Sequence, residues 1–234
     1  MKNIFITGAS RGIGLELSKQ YLELGYFVTA TCRNPSDAIS LRKIKDEYPL
    51  ELEILSMDVE SEDSIKSCLS SLNSKNKIID LLYNNAGVID WRDINDVEAD
   101  SIEKIYQVNL TGALLVTRHA IQCLKRAQDP LIINLSSRLG SIELRGETQL
   151  GGAIAYQCSK AALNMLTKQS AIDLASQRIR VISQSPGWVK TDMGGEEAKY
   201  ETSESVSKMI NSLNKLENHK SGIFIGEDGQ TIPW

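Results

Sequence analysis

The sequence is short of the features that mark a metal centre, a disulfide framework, a membrane span or a nucleic-acid surface. Its two histidines, His119 and His219, stand far apart with no carboxylate motif around them, which argues against a metal site. Four cysteines (Cys32, Cys68, Cys123 and Cys158) are scattered singly without Cys-x-x-Cys spacing and read as reduced thiols of a reducing compartment. No apolar run approaches the ~20 residues that cross a bilayer. The N-terminus passes from Ile4-Phe5-Ile6 into glycine without a signal-peptide core, so a cytoplasmic protein with no membrane partner is expected. With 26 Lys and Arg against 30 Asp and Glu, a net charge of −4 and no basic block, nothing supplies a footprint for nucleic acid. Internal repeats, low-complexity tracts and long Pro/Gly/Ser linkers are absent too. One domain over residues 1–234 is the expectation.

What is present is a globular composition, 41% hydrophobic and 24% charged, in a chain long enough to build a large core. Short β-rich apolar runs at 3–7, 26–32, 52–57, 79–83, 131–135, 180–185 and 222–225 alternate with helical periodicity at 12–24, 36–48, 61–74, 101–127, 152–176 and 203–216. That alternation predicts an α/β fold, a doubly wound seven-stranded parallel sheet of Rossmann type with helices on both faces. Two polar loops, Gly140–Gly152 and Asp192–Thr202, follow candidate strands and fall at the sheet's carboxyl edge, where such folds bind ligands.

The first strand ends in Thr7-Gly8-Ala9-Ser10-Arg11-Gly12-Ile13-Gly14 and runs directly into an amphipathic helix. Glycines permit positive φ and close backbone approach, while the free N–H groups and positive dipole end of the helix favour a pyrophosphate. Gly8, Ser10, Arg11, Gly12, Ile13 and Gly14 are therefore candidate dinucleotide contacts. An acid at the tip of the second strand selects NAD by bonding the ribose hydroxyls, and a cation there accommodates the extra phosphate of NADP. Here Cys32 stands at that tip and Arg33 follows it, with Arg11 available from the glycine loop. Two guanidiniums with no nearby acid predict NADP(H) in preference to NAD(H), the alternative being two solvated surface charges.

Tyr156-Gln157-Cys158-Ser159-Lys160 places a phenol and an ammonium at i and i+4 on one helical face. A nearby cation favours the phenolate and should bring the tyrosine toward a working acid–base range. With Asn84-Asn85-Ala86-Gly87, Val108-Asn109-Leu110-Thr111-Gly112, Asn134-Leu135-Ser136-Ser137 and Pro186-Gly187-Trp188-Val189-Lys190-Thr191, these motifs resemble the short-chain dehydrogenase/reductase superfamily, in its order and across nearly the whole chain.

That resemblance implies Tyr156 as proton donor to a carbonyl, Lys160 lowering its pKa and holding the nicotinamide ribose, and Ser137 polarising the carbonyl. It implies that the Asn109 backbone anchors a water relay to Lys160. Asp58 and Val59 would meet the adenine, Asn85, Ala86 and Gly87 the adenosine side, and Pro186, Gly187, Val189 and Thr191 the nicotinamide carboxamide. The Pro186–Gly195 segment and the Gly222–Trp234 tail look like the sniffer/C-factor branch, similar to NADPH-dependent carbonyl reductases. The interval from Ser137 to Tyr156 is longer than is common in the family, so an insertion at Ser141–Gly152 would flank the substrate mouth, opposite a short segment after Thr191. The expected function is NADPH-dependent reduction of an aldehyde or ketone, a small-molecule substrate, and the resemblance implies a homodimer or homotetramer. Two rivals remain open: an NADP(H)-binding regulatory or signalling protein with incidental turnover, and NAD-linked alcohol oxidation on the same fold.

Overall fold

Alternate residues of the strands divide the interior in two. Ile4, Ile6, Tyr83, Leu131 and Ile133 join one buried cluster, and Phe5, Leu82 and Ile132 join the other. A strand with both faces buried is mostly apolar, which is why these runs read as near-continuous Leu, Ile and Val.

The computed structural model describes residues 2–146, 151–217 and 220–234. Its seven strands are β1 (Asn3–Ile6), β2 (Phe27–Cys32), β3 (Leu52–Ser56), β4 (Leu81–Asn84), β5 (Leu131–Leu135), β6 (Arg180–Gln184) and β7 (Ile223–Ile225). They form one all-parallel sheet in the order β3-β2-β1-β4-β5-β6-β7, the expected doubly wound α/β architecture. The chain direction across the sheet reverses between β1 and β4, the point where such sheets open a ligand crevice. Helices α1 (Gly12–Glu23), α2 (Ile39–Glu47) and α7 (Thr202–Asn214) cover the Ile4–Ile6 face through Leu17, Leu41 and Met209. Helices α3 (Glu62–Ser74), α5 (Ala113–Leu124) and α6 (Ile154–Asp173) cover the other through Ile65, Val116 and Ala171.

Three helix expectations need correction. The segment 36–48 is broken. Pro35–Asp37 makes a 3-10 turn, Ala38 leaves the helical region at ψ 64°, and α2 starts only at Ile39. The segment 101–127 is α4 (Ala99–Tyr106), a π-helical stretch Gln107–Gly112, and α5. The helix expected from Gly152 begins at Ile154, because Gly152 (φ +80°) and Ala153 (φ +48°) are left-handed. Residues 147–150 of the expected insertion, and His219, lie outside the described residues. Among the described residues no helix is long and apolar enough to cross a membrane, and no group of three or more His, Cys, Asp or Glu is placed to hold a metal ion.

Candidate active site

Thr7, the first residue past β1, begins the site. Its hydroxyl accepts hydrogen bonds from the backbone N–H of Asn85 and of Ala86, each at 3.0 Å, and the Asn85 amide donates to the carbonyls of Thr7 and Gly8 at 2.8 and 3.0 Å. The turn after β4 is thereby stitched to the glycine loop. Contact is tight enough that a Cβ on Gly14 would lie 2.5 Å from the Asn85 amide nitrogen, and one on Gly8, at φ +65°, 2.9 Å from the Ala86 Cα. The N-terminus of α1 carries no side-chain cap, so its leading N–H groups have no side chain competing for them.

Around this joint opens a cavity of about 610 Å³. Gly8, Ser10 through Gly14, Arg33, Asp58, Val59, Asn85 through Gly87, Pro186 and Thr191 line it, and Tyr156 and Lys160 join them. Gly187 and Val189 sit behind the wall. Gly187 packs on Tyr200 and Glu227, and Val189 is buried and bridged to Tyr200. Asn109 and Ser137 also stand off the wall, on elements that touch Tyr156 and its helix.

At one end of the cavity Tyr156 and Lys160 are both buried on α6. The Lys160 ammonium donates to the Leu135 carbonyl at 2.7 Å and stands 5.5 Å from the centre of the Tyr156 ring. Burial pushes the Tyr156 phenol up to about 12, opposed by hydrogen bonding with the Ser137 side chain, and burial alone brings Lys160 down to about 8. The expectation of a phenol lowered by its lysine is corrected in this respect: the ammonium is engaged with Leu135 over the ring face, and desolvation decides the sign. Ser137 caps the 3-10 turn Arg138–Gly140, its hydroxyl accepting from the Leu139 N–H at 3.1 Å.

Asn109 lies in the π-helical stretch. Its amide donates to the Val88 carbonyl (2.9 Å) and the Ser159 hydroxyl (3.0 Å), and its oxygen accepts from the Val88 N–H (2.8 Å). The Ser159 hydroxyl donates in turn to the Tyr156 carbonyl at 2.7 Å, so the stretch is fastened to the turn of α6 that carries the phenol. A Cβ on Gly87 would fall 3.4 Å from the Asn109 oxygen and 3.7 Å from the Lys160 nitrogen, which places both residues beneath that glycine.

At the other end, the expectation of two guanidiniums with no nearby acid does not hold. Arg33 pairs with Glu60 at 3.8 Å, and Arg11 with Asp192 at 3.0 Å. Lys104 from α4 reaches the same Glu60. Glu60, Lys104 and Asp192 line the cavity; Asp192 opens one of the two loops expected at the ligand edge, whereas Glu60 and Lys104 were not among the expected site residues. Two signals lay close by in the chain, Glu60 two residues beyond Asp58 and Asp192 directly after Thr191, whereas Lys104 arrives from a distant segment.

A sequence profile described as short chain dehydrogenase matches residues 2–202. Among curated proteins, the C-signal of Myxococcus xanthus is 34% identical over 157 residues, 67% of this chain and 93% of that one. Among solved structures, an NADPH-bound carbonyl reductase from chicken fatty liver superposes with a TM-score of 0.94 at 34% identity, over 100% of this chain and 99% of that chain. The carbonyl reductase Sniffer of D. melanogaster gives 0.93 at 33% identity, over all of both chains. With the sheet order, the glycine loop and these likenesses in agreement, the chain belongs to the short-chain dehydrogenase family.

Proposed function

We propose that this chain is an NADPH-dependent reductase of aldehyde or ketone carbonyls, with cofactor and substrate sites on one domain. The observation that carries the reading is a single cavity with an uncapped helix N-terminus and cations at one end and the buried Tyr156 and Lys160 at the other. The residues present fit a 2′-phosphorylated dinucleotide. Bare N–H groups at Gly12–Gly14 suit a pyrophosphate, and Arg33 and Arg11 suit the additional phosphate. Two similar solved structures, the chicken fatty liver carbonyl reductase and a Burkholderia multivorans protein, hold NADPH and NADP respectively, which supports the same cofactor here.

When bound, the nicotinamide supplies a hydride to the carbonyl carbon. The chain's part is to orient the carbonyl and to deliver one proton to its oxygen. Tyr156 is the donor: its phenol is protonated at neutral pH, the form a reduction requires, and the burial that raises its pKa is opposed by hydrogen bonding with Ser137. Ser137 offers a second hydroxyl beside it. Lys160, fixed on the Leu135 carbonyl, places positive charge under the ring, where it stabilises the phenolate left after transfer. Asn109, through Ser159 and Val88, holds the Tyr156 turn and the Gly87–Val88 backbone in one arrangement.

Tyr156→Phe is the test. NADPH oxidation against a panel of aldehydes, quinones and diketones should fall by about 100-fold or more while NADPH binding persists, the usual size of a lost general acid. Unchanged turnover in the variant would end this mechanism, and no turnover by the wild-type chain on any carbonyl would favour a cofactor-binding regulatory role.

A further inference from the structure

The adenosine end of the cavity holds a carboxylate where a site for a 2′-phosphate would be expected to have none. Strand β2 ends at Cys32 with no acid, but Glu60, from the turn after β3, enters the same corner. The turn that carries it is pinned. Its backbone N–H donates to the Asp58 carboxylate at 3.1 Å and its carbonyl accepts from the Gln107 amide at 3.1 Å, and its side chain is 22% exposed. The two cations around it differ. Lys104 is closely paired to one Glu60 oxygen, whereas Arg33 stands 3.8 Å from the other, with a side chain 67% exposed.

We propose that Glu60 sets the cofactor discrimination of this site by acting as a fixed counter-charge. It holds Arg33 when no phosphate is present and repels a 2′-phosphate when one arrives, and Lys104 acts by neutralising Glu60. This inference rests on the NADP(H) reading above. A 2′-phosphate is nearly dianionic at neutral pH and must take Arg33 from Glu60, leaving a carboxylate behind in the same corner. Lys104 cancels that charge from the far side, so the site accepts the phosphorylated cofactor at a moderated affinity. An unphosphorylated ribose meets no such conflict.

The measurement is direct binding of NADPH and NADH, followed by protein fluorescence, to the wild-type chain, E60Q, K104M and the double variant. E60Q preserves shape and both backbone hydrogen bonds. NADPH should bind E60Q about fivefold more tightly, with NADH unchanged within about twofold, a difference of the size of one partly screened charge contact near a surface. That gain should shrink at high salt. K104M should weaken NADPH severalfold, and E60Q in the same chain should restore it. Three results would each overturn the proposal: an unchanged NADPH-to-NADH ratio in E60Q, a loss specific to NADH in E60Q that makes Glu60 a ribose ligand, or a K104M defect that E60Q does not rescue. Wild-type chain that bound NADH the more tightly would instead refute the NADP(H) reading, leaving the role of Glu60 to be judged by whether E60Q moves the ratio.

Discussion

The Lys160 ammonium donates to the Leu135 carbonyl, and burial brings its pKa down to about 8. A group whose folded pKa lies below its unfolded value binds fewer protons when folded. Between pH 8 and 10.5 the unfolded chain therefore carries the extra proton, and stability rises with pH; below pH 8 both states are charged and the full cost of burying the ammonium is present. Tyr156 has the opposite sign. Raised to about 12, it keeps its proton in the folded chain between pH 10 and 12, so its contribution falls as pH climbs through that window. Lys160→Met removes the first effect alone. The stability of wild type should gain on the variant by about 2 kcal/mol between pH 7 and pH 9.5, measured by urea unfolding at the two values. A difference flat in pH would mean that the ammonium is not desolvated. The spacing of Tyr156 and Lys160 was legible in the sequence. The direction of the phenol's shift was not, because it depends on which carbonyl the lysine finds and on how much of the ring is buried.

Between elements, a line of polar side chains crosses an otherwise apolar interior. The Asn84 amide on β4 donates to the Asn134 side-chain oxygen on β5 (2.8 Å) and to Thr117 on α5 (3.0 Å). Asn134 donates to Thr167 on α6 (2.8 Å), whose hydroxyl meets that of Ser183 on β6 at 2.8 Å. All of these residues are buried, so the bonds run from strand to strand and onto two helices under the catalytic end. Asn134→Leu keeps the branched shape but costs the Asn84 amide one of its two acceptors, Thr117 remaining, and takes a donor from Thr167. A loss of about 3 kcal/mol in urea unfolding is expected, the combined cost of unpaired buried groups; a neutral substitution would show that these bonds contribute nothing net. Strand positions were readable because a doubly buried strand is mostly apolar, as Leu131-Ile132-Ile133 is. The interruption of the 101–127 helix was not. It depends on contacts that periodicity does not carry: Asn109 drawn to Val88 and Ser159, and Gly112 packed so closely that a Cβ there would meet the Val59 carbonyl at 2.7 Å. Asn109 was picked out by resemblance, and its place in a π-helical stretch came from the structure.

Across the whole molecule, the loops at the carboxyl ends of β1 to β6 contribute to one cavity, and the segment after β7 fastens two of them. Backbone-shaping motifs announced the cavity in sequence, whereas the pairings Glu60 with Lys104 and Arg11 with Asp192 join segments that only the folded chain brings together. Glu227 is the centre of the fastening. It is 5% exposed, its carboxylate lies 3.3 Å from Arg138, next to Ser137, and a Cβ on Gly187 would come within 3.1 Å of its Cδ. Nearby, the Ser141 hydroxyl donates to the Pro233 carbonyl at 2.7 Å and Trp234 stacks on Phe224. Glu227→Gln leaves the shape and removes the charge. Arg138 is half-exposed and regains water, so the loss should sit toward the low end for a broken buried pair, about 2 kcal/mol, or about 4–8 °C in melting temperature for a chain of this size. Because the carboxylate braces the turn bearing Ser137 more directly than the glycine loop, kcat should fall by severalfold while the NADPH dissociation constant holds within about twofold, a magnitude set by small misplacement at a reacting centre. In a double-mutant cycle with Arg138→Met, the two losses should overlap instead of adding, since either change breaks the same contact. Additive losses, or a variant with unaltered melting and kcat, would mean that the tail merely covers the sheet edge and does not brace the site.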